Sequence, residues 1–176
     1  EWSMAMAKSL LRYDKYDLKI NPTRWGGCPT KNTLEELDGD FEKELFNRIV
    51  RQPLQKQPEV FIQISIPNEF QTPAKFNIGM TAGIETTIPP GEWVEGLNRM
   101  NVNFVLSKAV KEVFERVTFV KQNPDGSKQD IKLAKPMEVV NWGADTTIYK
   151  KTSDTIPSIE EAFSPIKEDF CFLFVG

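Results

Sequence analysis

The chain has 176 residues, 40% hydrophobic and 27% charged, with a net charge of −3. This is a globular composition rather than a disordered one, sized for a single well-cored domain. The charge balance offers no basic field to nucleic acid or anionic lipid, and the longest apolar run, Phe170 to Val175, is far short of a membrane span.

Cys28 and Cys171 lie far apart and support neither a disulfide framework nor a four-ligand zinc site. The chain has no histidine, so Ser-His, Cys-His and His-metal chemistry cannot arise from its own residues. Carboxylates, hydroxyls, amides and backbone groups remain as polar equipment. The first residues show neither the basic start nor the apolar stretch of an export signal, so the cytosol is the expected compartment.

In chain order, Ser3 to Arg12 reads as a helix, with Met4, Ala7, Leu10 and Leu11 on one face. Tyr16 to Ile20 reads as a short strand. Asn21 to Pro29 is a loop rich in turn formers. A second helix is expected over Phe41 to Gln52, because Leu37, Phe41, Leu45 and Ile49 recur every four residues and Pro53 stops it. Glu59 to Ile66 alternates like a strand, and Phe76 to Met80 is a further strand leading into the loop Thr81 to Thr87.

Glu92 to Arg99 reads as a helix, Asn103 to Leu106 as a strand, and Lys108 to Arg116 as a helix capped by Ser107. Thr118 to Gln122 and Asp130 to Leu133 flank Asp125-Gly126, a hairpin signal. Met137 to Val140 is the last strand before a polar stretch, Thr152 to Lys167, expected to be a linker with one helical turn. The alternation of strands and helices predicts an α/β fold with a mainly parallel sheet covered on both faces. Ligands of such sheets bind at the carboxyl ends of the strands. There the loops Asn21–Pro29, Pro67–Phe70, Thr81–Thr87, Ser107–Lys108 and Asn141–Asp145 gather small and hydroxylic residues.

Several stretches resemble the N-terminal half of retaining glycosyltransferases with the GT-B fold. Trp2-Ser3-Met4-Ala5-Met6-Ala7 resembles the start of that half's first helix. Gly79 to Thr86, Trp93, Asn98-Arg99-Met100-Asn101 and Asn103 to Ser107 resemble its central block. Asn141-Trp142-Gly143-Ala144-Asp145 resembles an Asn-Gly-Val-Asp segment, with a Trp between the Asn and the Gly as a departure. Phe170 to Gly176 resembles the first strand of the second domain.

The resemblance implies a Rossmann-like, doubly wound, mostly parallel sheet with a small β-hairpin insertion. It implies an acceptor-side domain over residues 1–151 that lacks its first strand, a linker over 152–169, and the first strand of a donor-binding domain over 170–176. The implied activity is transfer of a hexose from a nucleotide sugar to an acceptor, with no further cofactor. The donor would be held mainly by a second domain, so this stretch is expected to be inactive alone.

The expected substrate-binding residues are Trp25, Gly26, Gly27, Thr81, Glu85, Thr87, Lys108, Asn141, Gly143 and Asp145. No catalytic residue is assigned. Glu85 has two readings, a polar contact to a sugar or a carboxylate that stabilises its own loop. Trp25 with Gly26 and Gly27 could stack on a sugar or form a turn with a packed indole. Gly83 and Gly143 serve backbone geometry first. Asp145 could cap a helix, and Lys108 at a helix start could meet a phosphate. Two other functions stay open: a non-catalytic Rossmann-like binding module, and a nucleotide-sugar 2-epimerase, against which the missing histidine counts.

Overall fold

The computed structural model describes residues 2–22 and 39–141, together with 143, 146, 150–151, 161, 163–168, 170 and 172. The chain divides into two units, Glu1–Trp142 and Gly143–Gly176. In the first unit, helices α1 (Trp2–Arg12) and α2 (Asp40–Asn47) precede the sheet. Helix α2 is shorter than its apolar spacing predicts. Arg48 caps it, and Ile49 leaves the helix to form an isolated parallel bridge with Ile20. The bridge is held by Ile20 N–H donating to the Arg48 carbonyl at 2.9 Å and Val50 N–H donating to the Ile20 carbonyl at 2.8 Å.

Among the described residues, that bridge is all the extended pairing that Tyr16 to Ile20 makes, which corrects the expectation of a sheet strand there. Leu18 N–H turns back onto the Tyr16 carbonyl at 3.0 Å, so the backbone bends before an extended run can develop.

Four strands form one parallel sheet in the order β1 (Val60–Ile64), β2 (Phe76–Thr81), β3 (Val102–Val105), β6 (Met137–Val139). A short 3-10 turn, Pro67–Glu69, lies in the first crossover, helix α3 (Gly91–Arg99) in the second, and helix α4 (Lys108–Arg116) in the third. The third crossover also carries the antiparallel hairpin of β4 (Thr118–Gln122) and β5 (Lys128–Lys132). The parallel α/β architecture and the hairpin are therefore as the sequence implies. The strand order runs in one direction, however. The described strands do not contain the reversal that makes a sheet doubly wound.

The two faces of the sheet differ in chemistry. Residues in register share a face, because side chains alternate along a strand. One face carries Gln63, Gly79, Asn103 and Met137 in one row, and Thr81, Val105 and Val139 in the next. Helices α3 and α4 lie against this face. Val94 and Leu97 of α3, Phe114 of α4, Met100, Val105, Met137 and Phe70 form the buried core cluster. The half-buried Trp93 packs against this cluster, its ring stacked on that of Phe114 at 6.5 Å. The opposite face carries Val60, Ile62, Ile64, Phe76, Ile78, Met80 and Phe104.

Amide side chains of the strands fasten the first two crossovers to the sheet. Gln63 Nε2 donates to the Glu69 carbonyl at 2.9 Å, and its Oε1 accepts from Gln71 N–H at 2.8 Å. Asn77 holds both the N–H and the carbonyl of Ala74. Asn103 Nδ2 donates to the Leu97 carbonyl near the end of α3 at 3.0 Å. The Arg99 guanidinium reaches back to the carbonyls of Phe70, Pro67 and Asn68. These bonds hold backbone groups of the crossovers, and the carbonyls of Leu97 and Pro67 also accept from Met100 and Phe70 N–H.

In the second unit, Glu161 and Phe163 belong to a helical turn closed by Ser164 Oγ donating to the Glu161 carbonyl at 2.7 Å. Phe170 and Phe172 belong to no strand. Their rings meet edge to face at 5.0 Å, and the side chains are 73% and 94% exposed. Among the described residues, no helix is long and apolar enough to cross a membrane.

Candidate functional site

Thr81, Val105 and Val139 form one row of the parallel sheet. The loops that follow β2, β3 and β6 therefore leave from the same edge, the carboxyl ends of the strands. Ser65 joins this edge from β1, where its N–H donates to the Met80 carbonyl at 3.2 Å.

Each loop has a stated local cause. The Thr81 hydroxyl accepts from Gly83 N–H at 3.2 Å. Gly83 has φ +81°, in the left-handed region where a side chain is strained. A β-carbon there would also collide with Val110 of α4. Strand β2 thus turns sharply at 81–83 and presents Glu85, Thr86 and Thr87 to solvent. Pro89 is buried and anchors the far end of the loop. After β3, Ser107 Oγ accepts from Val110 N–H at 3.2 Å and caps α4. Lys108, the first helical residue, is exposed. After β6, Val140 N–H donates to the Val105 carbonyl at 2.8 Å, which places Asn141 just beyond the same edge.

The polar groups on this edge fall into two sets. The hydroxyls of Ser65, Thr81, Thr86 and Ser107 are all engaged within the backbone of their own loops. The Glu85 carboxylate, the Thr87 hydroxyl, the Lys108 ammonium and the Asn141 amide make no hydrogen bond or ion pair among the described residues. One carboxylate, one hydroxyl, one ammonium and one amide therefore point to solvent from three loops of one sheet edge. Such a set suits a hydroxyl-rich ligand. It holds no pair of carboxylates for general acid–base work.

The structure thus brings Thr81, Glu85, Thr87, Lys108 and Asn141 to a common edge. Thr81 itself is buried and holds the turn rather than facing a ligand. Gly143 is exposed and lies in the second unit. Trp25, Gly26, Gly27 and Asp145 lie outside the described residues. Asn98 and Arg99 are structural. Asn98 bridges the Lys132 carbonyl and the Ala134 N–H, each at 2.8 Å, and so fixes the hairpin's return.

Ser65 and Gln63, which shape the edge from behind, carry no site expectation from the sequence. The usable signal was positional, since Ser65 follows an apolar strand as Ser107 does. Comparison with protein-family models, with characterised proteins and with solved structures finds no match to this chain.

Proposed function

We propose that the first unit is the acceptor-side, Rossmann-like domain of a GT-B retaining glycosyltransferase, which transfers a hexose from a nucleotide sugar to a hydroxyl-bearing acceptor. The observation that carries the reading is the convergence of the Thr81–Thr87 loop, Ser107–Lys108 and Asn141 on one parallel-sheet edge. Those are the stretches whose sequence resembles the family's central block and its Asn-containing segment.

In this reading Glu85 and Asn141 hold sugar hydroxyls. A carboxylate accepts from two such hydroxyls and an amide both donates and accepts, so the pair fixes orientation without proton transfer. Lys108, at the positive end of α4, faces the donor phosphate or the leaving group. No side chain serves as general base. In retaining enzymes of this type the donor's own phosphate is thought to take that part. Positioning and charge stabilisation are then the contributions of this domain.

The test is an NMR titration of the 176-residue chain with neutral mono- and oligosaccharides. Amide shifts confined to 81–87, 107–108 and 141 support the reading. Saturable shifts elsewhere, or none at millimolar sugar, overturn it. Glu85→Gln keeps the size and the exposed position and should weaken the same titration about tenfold, as expected for one lost charge-assisted hydrogen bond.

A further inference from the structure

Strand β1 is an edge strand of the four-stranded sheet, and its backbone alternates in a definite way. Phe76 N–H donates to the Glu59 carbonyl at 3.0 Å, and Ser65 N–H donates to the Met80 carbonyl at 3.2 Å. With the register Val60–Phe76, Ile62–Ile78 and Ile64–Met80, the residues that bond β2 are Glu59, Phe61, Gln63 and Ser65. The N–H and carbonyl groups of Val60, Ile62 and Ile64 therefore point away from the sheet. Among the described residues, no strand pairs with that outer edge.

Among the described residues, the other edges carry guards that β1 lacks. Strand β6 has only three residues and follows Pro136, and the hairpin strands carry Lys121, Lys128 and Lys132. Short strands, proline and lysine are the usual guards against edge pairing. Strand β1 is Val-Phe-Ile-Gln-Ile, with no charge and no proline. Val60 at its start is 53% exposed, and Phe76 beside it is 44% exposed.

We infer that β1 is a self-association edge whose partner is the β1 of a second copy of this chain, paired antiparallel about a two-fold axis at Ile62. The register is self-complementary. Ile62 lies opposite Ile62 of the other copy, and Val60 lies opposite Ile64. All three pairs consist of residues whose backbone groups face outward. Each hydrogen-bonded antiparallel pair exchanges two bonds, so three pairs close about six. Every pair sets β-branched side chains against each other on one face, and no like charges meet. The exposed Val60 gains cover from Ile64 of the other copy. Because the strands run antiparallel, the two carboxyl-end edges point in opposite directions and both candidate sites stay open.

The experiment is light scattering coupled to size-exclusion chromatography on the full chain at high micromolar concentration, with a dilution series. The expected mass is twice the 20.1 kDa of one chain, falling on dilution. Ile62→Pro removes an outward N–H and no bond to β2, so it should give a folded monomer. Val60→Lys restores an edge guard at an exposed position and should also give a monomer, which keeps the test open if the proline variant does not fold. A wild-type chain that is monomeric throughout overturns the inference. So does a dimer that survives in a folded variant of either kind.

Discussion

A methyl group at position 96 should destabilise a helix that alanine would ordinarily favour. Replacing a mid-helix glycine by alanine stabilises by roughly 1 kcal/mol through propensity alone. In α3, a β-carbon on Gly96 would overlap the carbonyl oxygen of Pro67, a backbone atom held in the first crossover by Arg99. The clash must be relieved by moving α3 off the 3-10 turn, and such overpacking costs about 1–3 kcal/mol. Gly96→Ala should therefore lower the midpoint of chemical denaturation; a midpoint that rises would show that α3 and the turn are not in contact. The same reasoning explains what could not be read from the residues in advance. Gly96 looks like an ordinary soft spot in a helix. Gln63, Asn77 and Asn103 look like polar residues out of place in strands. Their partners are backbone groups of crossovers whose path the sequence does not state.

At the scale of elements, the hairpin turn carries a pH dependence with a definite sign. The Ser127 hydroxyl and then its backbone N–H donate to the Asp125 carboxylate, at 2.6 and 2.9 Å, and hold its pKa below the ordinary aspartate range. Because the folded value is depressed, the contribution is present above the ordinary value of about 3.9 and is lost as pH falls through the lowered one. The Gly126 and Ser127 amide resonances should titrate with a midpoint below that of an unstructured peptide of the same sequence. An equal midpoint would mean that the turn bonds are not formed in solution.

Helix α4 offers a second check. Ser107→Ala removes the acceptor for Val110 N–H and should cost about 1 kcal/mol in thermal or chemical unfolding, whereas Ser107→Asn should largely keep the cap. The elements best read from the sequence were those with a local signal. The Asp-Gly turn, the Ser cap and the β-branched runs of β1 and β3 fall within a residue or two of expectation. Helix α2 and Tyr16–Ile20 were misread for one shared reason. Ile20 and Ile49 have apolar side chains that fit a helix or strand pattern, but they face each other in a bridge whose bonds join Ile20 to Arg48 and Val50 across a long sequence separation. The candidate edge was legible in part, because a residue after a parallel strand always lies at the carboxyl end. Which of its hydroxyls the backbone uses was not.

For the molecule as a whole, stability should reside in the first unit. Every residue of the buried core cluster lies between Phe70 and Met137, on the helix-bearing face of the sheet. Fully burying a large apolar side chain contributes roughly 1.5–3 kcal/mol. Phe170 and Phe172 are largely exposed, so they contribute little of this. A chain ending at Trp142 should therefore unfold at nearly the same denaturant midpoint as the full chain, and with a similar slope, since the slope follows the area exposed on unfolding. The amides of Phe170 and Phe172 should exchange rapidly with solvent while those of β2 and β3 are protected, because local protection follows burial and backbone pairing. A sharp drop in the midpoint on truncation, or strong protection of the Phe172 amide, would overturn this.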